Sequence, residues 1–304
     1  MIDYSKIIKE LEDLGCAVFA DEPMARHTSF RIGGPADLYV MVRNTDQLIA
    51  LRRMAAENEI PVMIVGNGSN LLVSDAGIRG IVARLDGEFC SVEYIGKDMI
   101  RAGAGASLSN LCLAALEHGL TGVEFAWGIP GSIGGAAFMN AGAYGGELKD
   151  VVVEVEYVTA DGELDQLTNE QCAFEYRGSI FQKSDCCVTA ITVKLTDGDP
   201  EQIKATMDDL SLRRRTKQPL EYPSAGSTFK RPQGYFAAAL IEQCGLKGLT
   251  VGGAQVSEKH SGFIINRGGA TCADILELIE QVERRVFEAT GVTLEPEVRI
   301  LGGE

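Results

Sequence analysis

Several features that mark common protein classes are scarce or absent in this 304-residue sequence. It holds three histidines, far apart, and eight cysteines (Cys16, Cys90, Cys112, Cys172, Cys186, Cys187, Cys244, Cys272). None of them forms a C-x-x-C or a zinc-ligand spacing, so neither a metal site nor a redox-active disulfide is expected. The thiols read as reduced and mostly buried, with the adjacent pair Cys186 and Cys187 serving as small apolar residues of a strand rather than a redox element. No run of about 18 apolar residues is present to span a bilayer. The opening MIDYSKIIKELEDLG is acidic and amphipathic rather than a basic segment followed by an apolar one. Positive charge is short too: Lys+Arg 28 against Asp+Glu 43 gives a net charge of -15, which repels nucleic acid and anionic membranes. The expectation is a cytoplasmic protein without metal, nucleic-acid or membrane partners, acting as a monomer on a small molecule.

Hydrophobic periodicity gives an α+β reading. Ile7, Ile8, Leu11 and Leu14 fall at helical spacing up to Gly15. A βαβ pattern follows, with a strand at 38–42, a helix at 46–58 capped by Thr45, and a strand at 61–65, which predicts two parallel neighbouring strands. Short strand-like runs (IVARL, SVEYI, VVVEVEYVT, CVTAITVKL) and a helix near 109–118 suggest a second unit between 80 and 195. Beyond it the spacing predicts a helix opening at Pro200, one at 235–244, and a long one at 273–290 with an apolar stripe of Ile275, Leu278, Ile279, Val282 and Val286, stopped by Gly291. A strand at 298–301 closes the chain.

Proline is sparse, nine residues against 35 glycines, and the glycines concentrate in two places. Gly66-Asn67-Gly68-Ser69-Asn70-Leu71 leaves a strand in small residues whose backbone N–H groups suit an anion, although a plain tight turn accounts for it equally. It lacks the Gly-Lys-Ser/Thr ending of a P-loop, and Leu71 stands where a dinucleotide fingerprint needs its third glycine. The second stretch, Gly128 to Gly146, has seven glycines in nineteen residues, and no Lys or Arg occurs between Arg101 and Lys149. A diphosphate held there would be bound by main-chain N–H groups, which suits a large cofactor such as FAD. A flexible loop fits less well, because Ile, Ala, Phe and Met are interleaved.

Seven segments in order carry a resemblance: HTSFRIGG at 27–34, the stretch from Gly66 to Asp75, the stretch from Gly128 to Gly145, YRGS at 176–179, AGSTFK at 225–230, GLKG at 245–248, and LEPEVR at 294–299. Together they make the chain similar to the UDP-N-acetylenolpyruvoylglucosamine reductases, the MurB family. The absence of tyrosine between Tyr176 and Tyr222 resembles the shorter class of that family, which lacks the tyrosine-bearing loop. The resemblance implies a two-subdomain FAD-binding fold of the p-cresol methylhydroxylase type (1–79 and 80–198) and an α+β substrate-binding domain (199–304) whose C-terminal strand returns to the active site. It implies noncovalent FAD, NADPH as hydride donor, and reduction of UDP-N-acetylglucosamine enolpyruvate to UDP-N-acetylmuramate in peptidoglycan precursor synthesis. The implied catalytic residues are Arg177, Ser227 and Glu297. The implied cofactor-binding residues are Arg31, Gly66, Asn67, Gly68, Ser69, Asn70, Leu71, Gly128, Pro130, Gly131, Ser132, Gly134, Gly135, Asn140, Ala141 and Gly142. Tyr176, Lys217, Lys230 and Arg231 are the expected substrate contacts, and no residue is assigned to a metal.

The chemistry suits those residue types. Hydride addition to the terminal carbon of an enolpyruvyl group leaves negative charge on the neighbouring carbon and its carboxylate. A fixed guanidinium aimed at such charge contributes about 3 to 4 kcal/mol in a dry site, the part expected of Arg177 with help from a protonated or bridging Glu297. A proton must then reach carbon, and Ser227 can give it only through a relay that replaces it. From 203 to 231 seven basic residues face three acidic ones, a local balance of +4 that favours an anionic substrate, although a solvated helix end explains Arg213 to Arg215 as well. Two other readings remain at this stage: a flavin oxidase on the same cofactor fold, and a noncatalytic nucleotide-sugar sensor.

Overall fold

The computed structural model describes residues 4–303. Its helices are α1 (Tyr4–Asp13), α2 (Thr45–Glu57), α3 (Leu108–Glu117), α4 (Ile133–Met139), α5 (Pro200–Lys217), α6 (Ala237–Gln243) and α7 (Cys272–Thr290). The strands of its main sheets are β1 (Ala17–Pro23), β2 (Pro35–Val42), β3 (Val62–Val65), β4 (Leu71–Val73), β5 (Ile78–Leu85), β6 (Val92–Gly96) and β7 (Met99–Gly103) in the first third. Short strands β8 (Leu120–Thr121), β9 (Gly142–Ala143) and β10 (Gly146–Glu147) come next, then β11 (Val152–Val158), β12 (Leu164–Thr168), β13 (Cys187–Lys194) and β14 (Thr196–Asp197). The last third adds β15 (Thr250–Val251), β16 (Ala254–Val256), β17 (Ile264–Asn266) and β18 (Arg299–Leu301). No described helix is long and apolar enough to cross a membrane.

By compactness the chain divides into two interleaved units. The first takes Met1–Ala20, Leu38–Gly66 and Gly80–Leu212, and the second Asp21–Asp37, Asn67–Arg79 and Arg213–Glu304.

In the first unit a four-stranded sheet has the order β1-β2-β5-β3, and a five-stranded antiparallel sheet the order β12-β11-β13-β7-β6. The βαβ segment forms, but its strands are not neighbours: β5 lies between them and runs parallel to β3, with Val62 opposite Ile81. The physical reason is the IVARL run, whose Ile81, Val82 and Ala83 are completely buried. Such a strand belongs at the centre of a sheet rather than at the start of the next unit, where the pattern had put it. The helix between them is capped by Asn44, whose side chain accepts from the Gln47 amide at 2.9 Å, not by Thr45, whose hydroxyl donates to Glu88 instead. Leu38, Val40, Leu48, Leu51, Ile100, Leu111, Val155 and Ile191 belong to one core. Within it burial pushes the Cys112 and Cys187 thiols up to about 12, which leaves them unreactive.

The second unit is built on α7. Its N-terminus carries a reciprocal Thr271–Asp274 capping box, the Asp75 carboxylate accepts the Cys272 and Ala273 amides at 2.8 and 3.1 Å, and Gly291 ends the helix at φ +72°. The apolar stripe of α7 packs with Phe30, Ile32, Leu72 and Ile264 into a separate core. Against this core β18 pairs in parallel with β4, and β15-β16-β17 form a small antiparallel sheet. The helix expected from 235 begins at Ala237, because a turn from Pro232 to Tyr235 with Gly234 at φ +79° takes up the residues before it.

Candidate active site

The residues singled out from the sequence fall into two groups, one in each unit. In the first unit β3 delivers the chain to Gly66, where a Cβ would stand 2.1 Å from Ser132 Oγ. Ser132 is 2% exposed and caps α4, its hydroxyl accepting from the Gly135 amide at 3.3 Å. The two glycine-rich stretches therefore touch at Gly66 and Ser132. Their amides differ in a way the sequence does not reveal. Ile133 and Gly134 donate to the carbonyls of Ala106 and Ala104 at 2.8 and 2.9 Å, and Ala136 to Ser132. With Gly135 held by Ser132, the first turn of α4 has no amide left for a ligand. By contrast the amides of Gly66, Gly68, Ser69 and Asn70, and those of Gly128, Gly131 and Ser132, donate to no protein acceptor among the described residues. Gly134 and Gly135 are thus engaged within the protein, and the amides available to a phosphate lie upstream of α4.

α4 ends at Asn140, which is completely buried and left-handed at φ +44°. Its side-chain N–H groups donate to the Glu147 carboxylate at 2.9 Å and the Glu175 carbonyl at 3.0 Å, and its oxygen accepts from the Lys149 amide at 3.0 Å. No side-chain atom of Asn140 remains for the cofactor contact expected of it. Ala141 and Gly142 lead into the β9–β10 hairpin, whose two-residue turn holds Tyr144 at φ +54° and Gly145 at φ +94°. The Glu147 carboxyl is held below the usual carboxylate range by the bond from Lys149 (2.8 Å), then by Asn140 and the nearby charge of Arg177.

Arg177 occupies a comparable turn. Glu175 and Gly178 exchange both backbone hydrogen bonds, at 3.0 and 3.1 Å, with Tyr176 and Arg177 at the corner. Arg177 sits at φ +57°, the third position of a four-residue turn where glycine or asparagine is normal. A non-glycine residue held there costs of order 1–3 kcal/mol, and such strain concentrates where a side chain is needed in one place. Gln182 accepts the load by donating to the Arg177 and Phe138 carbonyls at 2.9 and 3.1 Å, and Ser179 donates to Phe138 at 2.9 Å. The Arg177 guanidinium lies 5.3 Å from the centroid of the exposed Tyr176 ring.

In the second unit Ser227 and Glu297 lie on adjoining antiparallel segments. Glu297 donates its amide to the Thr228 carbonyl at 2.7 Å, Lys230 donates to Glu295 at 2.8 Å, and Phe229 bridges to Pro296. Thr228 is 2% exposed, whereas Ser227 is exposed, its hydroxyl 3.5 Å from the Phe229 carbonyl. The strand bearing Glu297 is fastened to the first glycine turn, because Asn70 donates its side-chain amide to the Glu297 carbonyl at 3.1 Å and accepts the Arg299 amide at 2.9 Å. Leu71 enters β4 opposite Arg299. The turn itself is locked by Gly68, at φ +62°, where a Cβ would stand 2.1 Å from the His27 carbonyl oxygen. Asn67 is half-buried.

The HTSFRIGG segment proves to be a bracket. Ser29 donates its amide to Gly68 at 3.1 Å and its hydroxyl to Ser224 at 2.6 Å, Phe30 and Ile32 enter the core, and Arg31 alone is exposed, at φ +56°. Lys230 pairs with Glu295 at 3.3 Å, Lys217 ends α5 exposed, and the Arg231 guanidinium lies 4.1 Å over the Phe236 ring. Pro130 is exposed on the approach to Ser132. One residue had no sequence signal: His260, whose Nδ1 accepts the Gly262 amide at 3.2 Å while the Gly262 carbonyl accepts Thr228 at 2.8 Å. Burial pushes its pKa down, with the charges of Lys247 and Lys217 adding to the effect, so a neutral ring supports the backbone next to Ser227.

These observations fit FAD: at both glycine stretches backbone amides donate to no protein acceptor among the described residues, as main-chain binding of a diphosphate requires.

Comparison with known proteins agrees. Residues 36–168 match a family model described as an FAD binding domain, and residues 218–301 match that of the C-terminal domain of UDP-N-acetylenolpyruvoylglucosamine reductase. A protein of that name from Caldanaerobacter subterraneus is 52% identical over 94% of this chain and 94% of its own length. One from Clostridium botulinum is 50% identical over 100% of this chain and 99% of its own. The crystal structure of UDP-N-acetylenolpyruvylglucosamine reductase from Thermus caldophilus, 36% identical, covers 94% of this chain and 99% of that one with a TM-score of 0.81.

Proposed function

The chain belongs to the UDP-N-acetylenolpyruvoylglucosamine reductase family, and on that premise we propose how its residues divide the work. It is an FAD-dependent oxidoreductase that uses NADPH to reduce UDP-N-acetylglucosamine enolpyruvate to UDP-N-acetylmuramate in peptidoglycan synthesis. FAD, when bound and reduced, supplies the hydride for the terminal carbon of the enolpyruvyl double bond.

The amides of Gly66, Gly68, Ser69, Asn70, Gly128, Gly131 and Ser132 would hold the cofactor diphosphate, with Arg31 as a side-chain contact. Arg177, presented by its strained turn, takes the charge that spreads onto the substrate carboxylate. Ser227 gives the proton to the neighbouring carbon, and Glu297 on the adjoining segment assists. Lys217, Lys230, Arg231 and Tyr176 contact the nucleotide sugar. Residues 1–79 and 80–198 serve the cofactor and 199–304 the substrate, and the protein works as a cytoplasmic monomer.

The observation that carries this reading is the exposed Ser227 hydroxyl next to a buried Thr228 whose carbonyl holds the Glu297 amide at 2.7 Å. In stopped-flow, Ser227→Ala is expected to leave flavin reduction by NADPH intact and to slow flavin reoxidation by the sugar nucleotide about 100- to 10,000-fold, the range of a lost general acid. Equal slowing of both half-reactions would remove Ser227 from the proton-donor role.

A further inference from the structure

Asn140 lies where the glycine-rich stretch ends, and every hydrogen-bonding atom of its side chain is used within the protein. The amide nitrogen bonds Glu147 Oε2 at 2.9 Å and the Glu175 carbonyl at 3.0 Å, and the oxygen takes the Lys149 amide at 3.0 Å. These three partners belong to two different local structures. Glu147 ends the β9–β10 hairpin and Lys149 lies in the helical turn that follows it, while Glu175 opens the turn that displays Arg177. Two strained turns, one with Tyr144 at φ +54° and one with Arg177 at φ +57°, are thereby tied at their bases to a single buried amide.

We propose that Asn140 is a positioning residue, a bracket that sets the Arg177 turn against the end of the glycine-rich stretch, and not a ligand of the cofactor. The proposal rests on the reading of Arg177 as a catalytic residue. On the same side Gln182 holds the Arg177 carbonyl and Ser179 the Phe138 carbonyl. The Glu175 carbonyl is an edge of the turn itself, so its hold by Asn140 fixes the direction in which the turn projects. Asparagine suits the position twice over, since it tolerates the left-handed conformation at the end of α4 and offers both donors and an acceptor in one plane.

Asn140→Gly separates these two contributions, because glycine keeps the left-handed helix end and deletes only the amide. The purified holoenzyme is expected to carry stoichiometric FAD and to be reduced by NADPH at the wild-type rate. Flavin reoxidation by the enolpyruvyl substrate is expected to slow about 10- to 100-fold, the effect of a displacement of about 1 Å in a reacting group. Amide hydrogen exchange at residues 175–178 is expected to accelerate. In an Arg177→Lys background the same substitution should add little, since both changes act through one side chain. Loss of flavin from Asn140→Gly, or unchanged exchange at 175–178, would overturn the bracket. Faster exchange at 175–178 with an Arg177→Lys enzyme that reoxidises normally would instead overturn the catalytic reading of Arg177. Should Asn140→Gly not fold, Asn140→Ser, uncharged and too short to reach all three partners, takes its place with the same expectations and the same overturning results.

Discussion

At Gly68 glycine is demanded by φ +62° and by a Cβ that would stand 2.1 Å from a carbonyl oxygen, while at Gly134 it makes room for the side chain of Ala104, 2.9 Å from where a Cβ would be. The amides follow the same division. Among the described residues Gly68 and its neighbours Ser69 and Asn70 have no protein acceptor for theirs, whereas Gly134 and Gly135 have given theirs to Ala104 and Ser132. Glycine density therefore locates a place of close approach but does not say what approaches. The fate of the N–H groups says that, and only tertiary structure decides it.

The comparison can be broken by substitution. The largest effect is expected at Gly68→Ala, which meets backbone and adds about 1–2 kcal/mol of left-handed strain. That alone corresponds to roughly tenfold weaker FAD binding, measured by flavin release and the visible-to-ultraviolet absorbance ratio. Full flavin retention would show that the turn is not a cradle. Gly134→Ala comes next: overpacking against Ala104 is expected to lower unfolding stability by about 1–3 kcal/mol with FAD content unchanged. Loss of flavin at an unchanged Tm would erase the distinction between the stretches. The smallest effect is expected at Gly145→Ala, where φ is +94° but a Cβ meets nothing within 4 Å. Strain alone should cost about 1 kcal/mol there, read as a shift of a few degrees or less in Tm.

Much of the fold is legible in the sequence, and where it is not, particular residues show why. The stripe from Ile275 to Val286 gives α7 together with its stop at Gly291, because cap and periodicity act within one element. The place of β5 between β2 and β3 is not legible, since a run such as Ile81-Val82-Ala83 declares burial without declaring its neighbours. Asn44 rather than Thr45 caps α2 because Glu88, remote in sequence, takes the threonine hydroxyl. At the site, the two glycine stretches are visible as composition, but from the sequence Ser227 and Glu297 could be brought together only through the resemblance, and it is the pairing of 228–230 with 295–297 that joins them. Nothing local marks Asn140 as a bracket or His260 as a support, for each acts through partners on other elements.

The pairing of the final strand has a consequence for biosynthesis. Asn70 holds Glu297 across 227 positions of sequence, and β18 lies parallel to β4. On the ribosome the early turn must wait for residues 295–301 to emerge before that side of the second unit can close. Long-range parallel pairing of this kind forms slowly and exposes strand edges meanwhile. Translation products that stop short of β18 are therefore expected to carry an unpaired β4 edge.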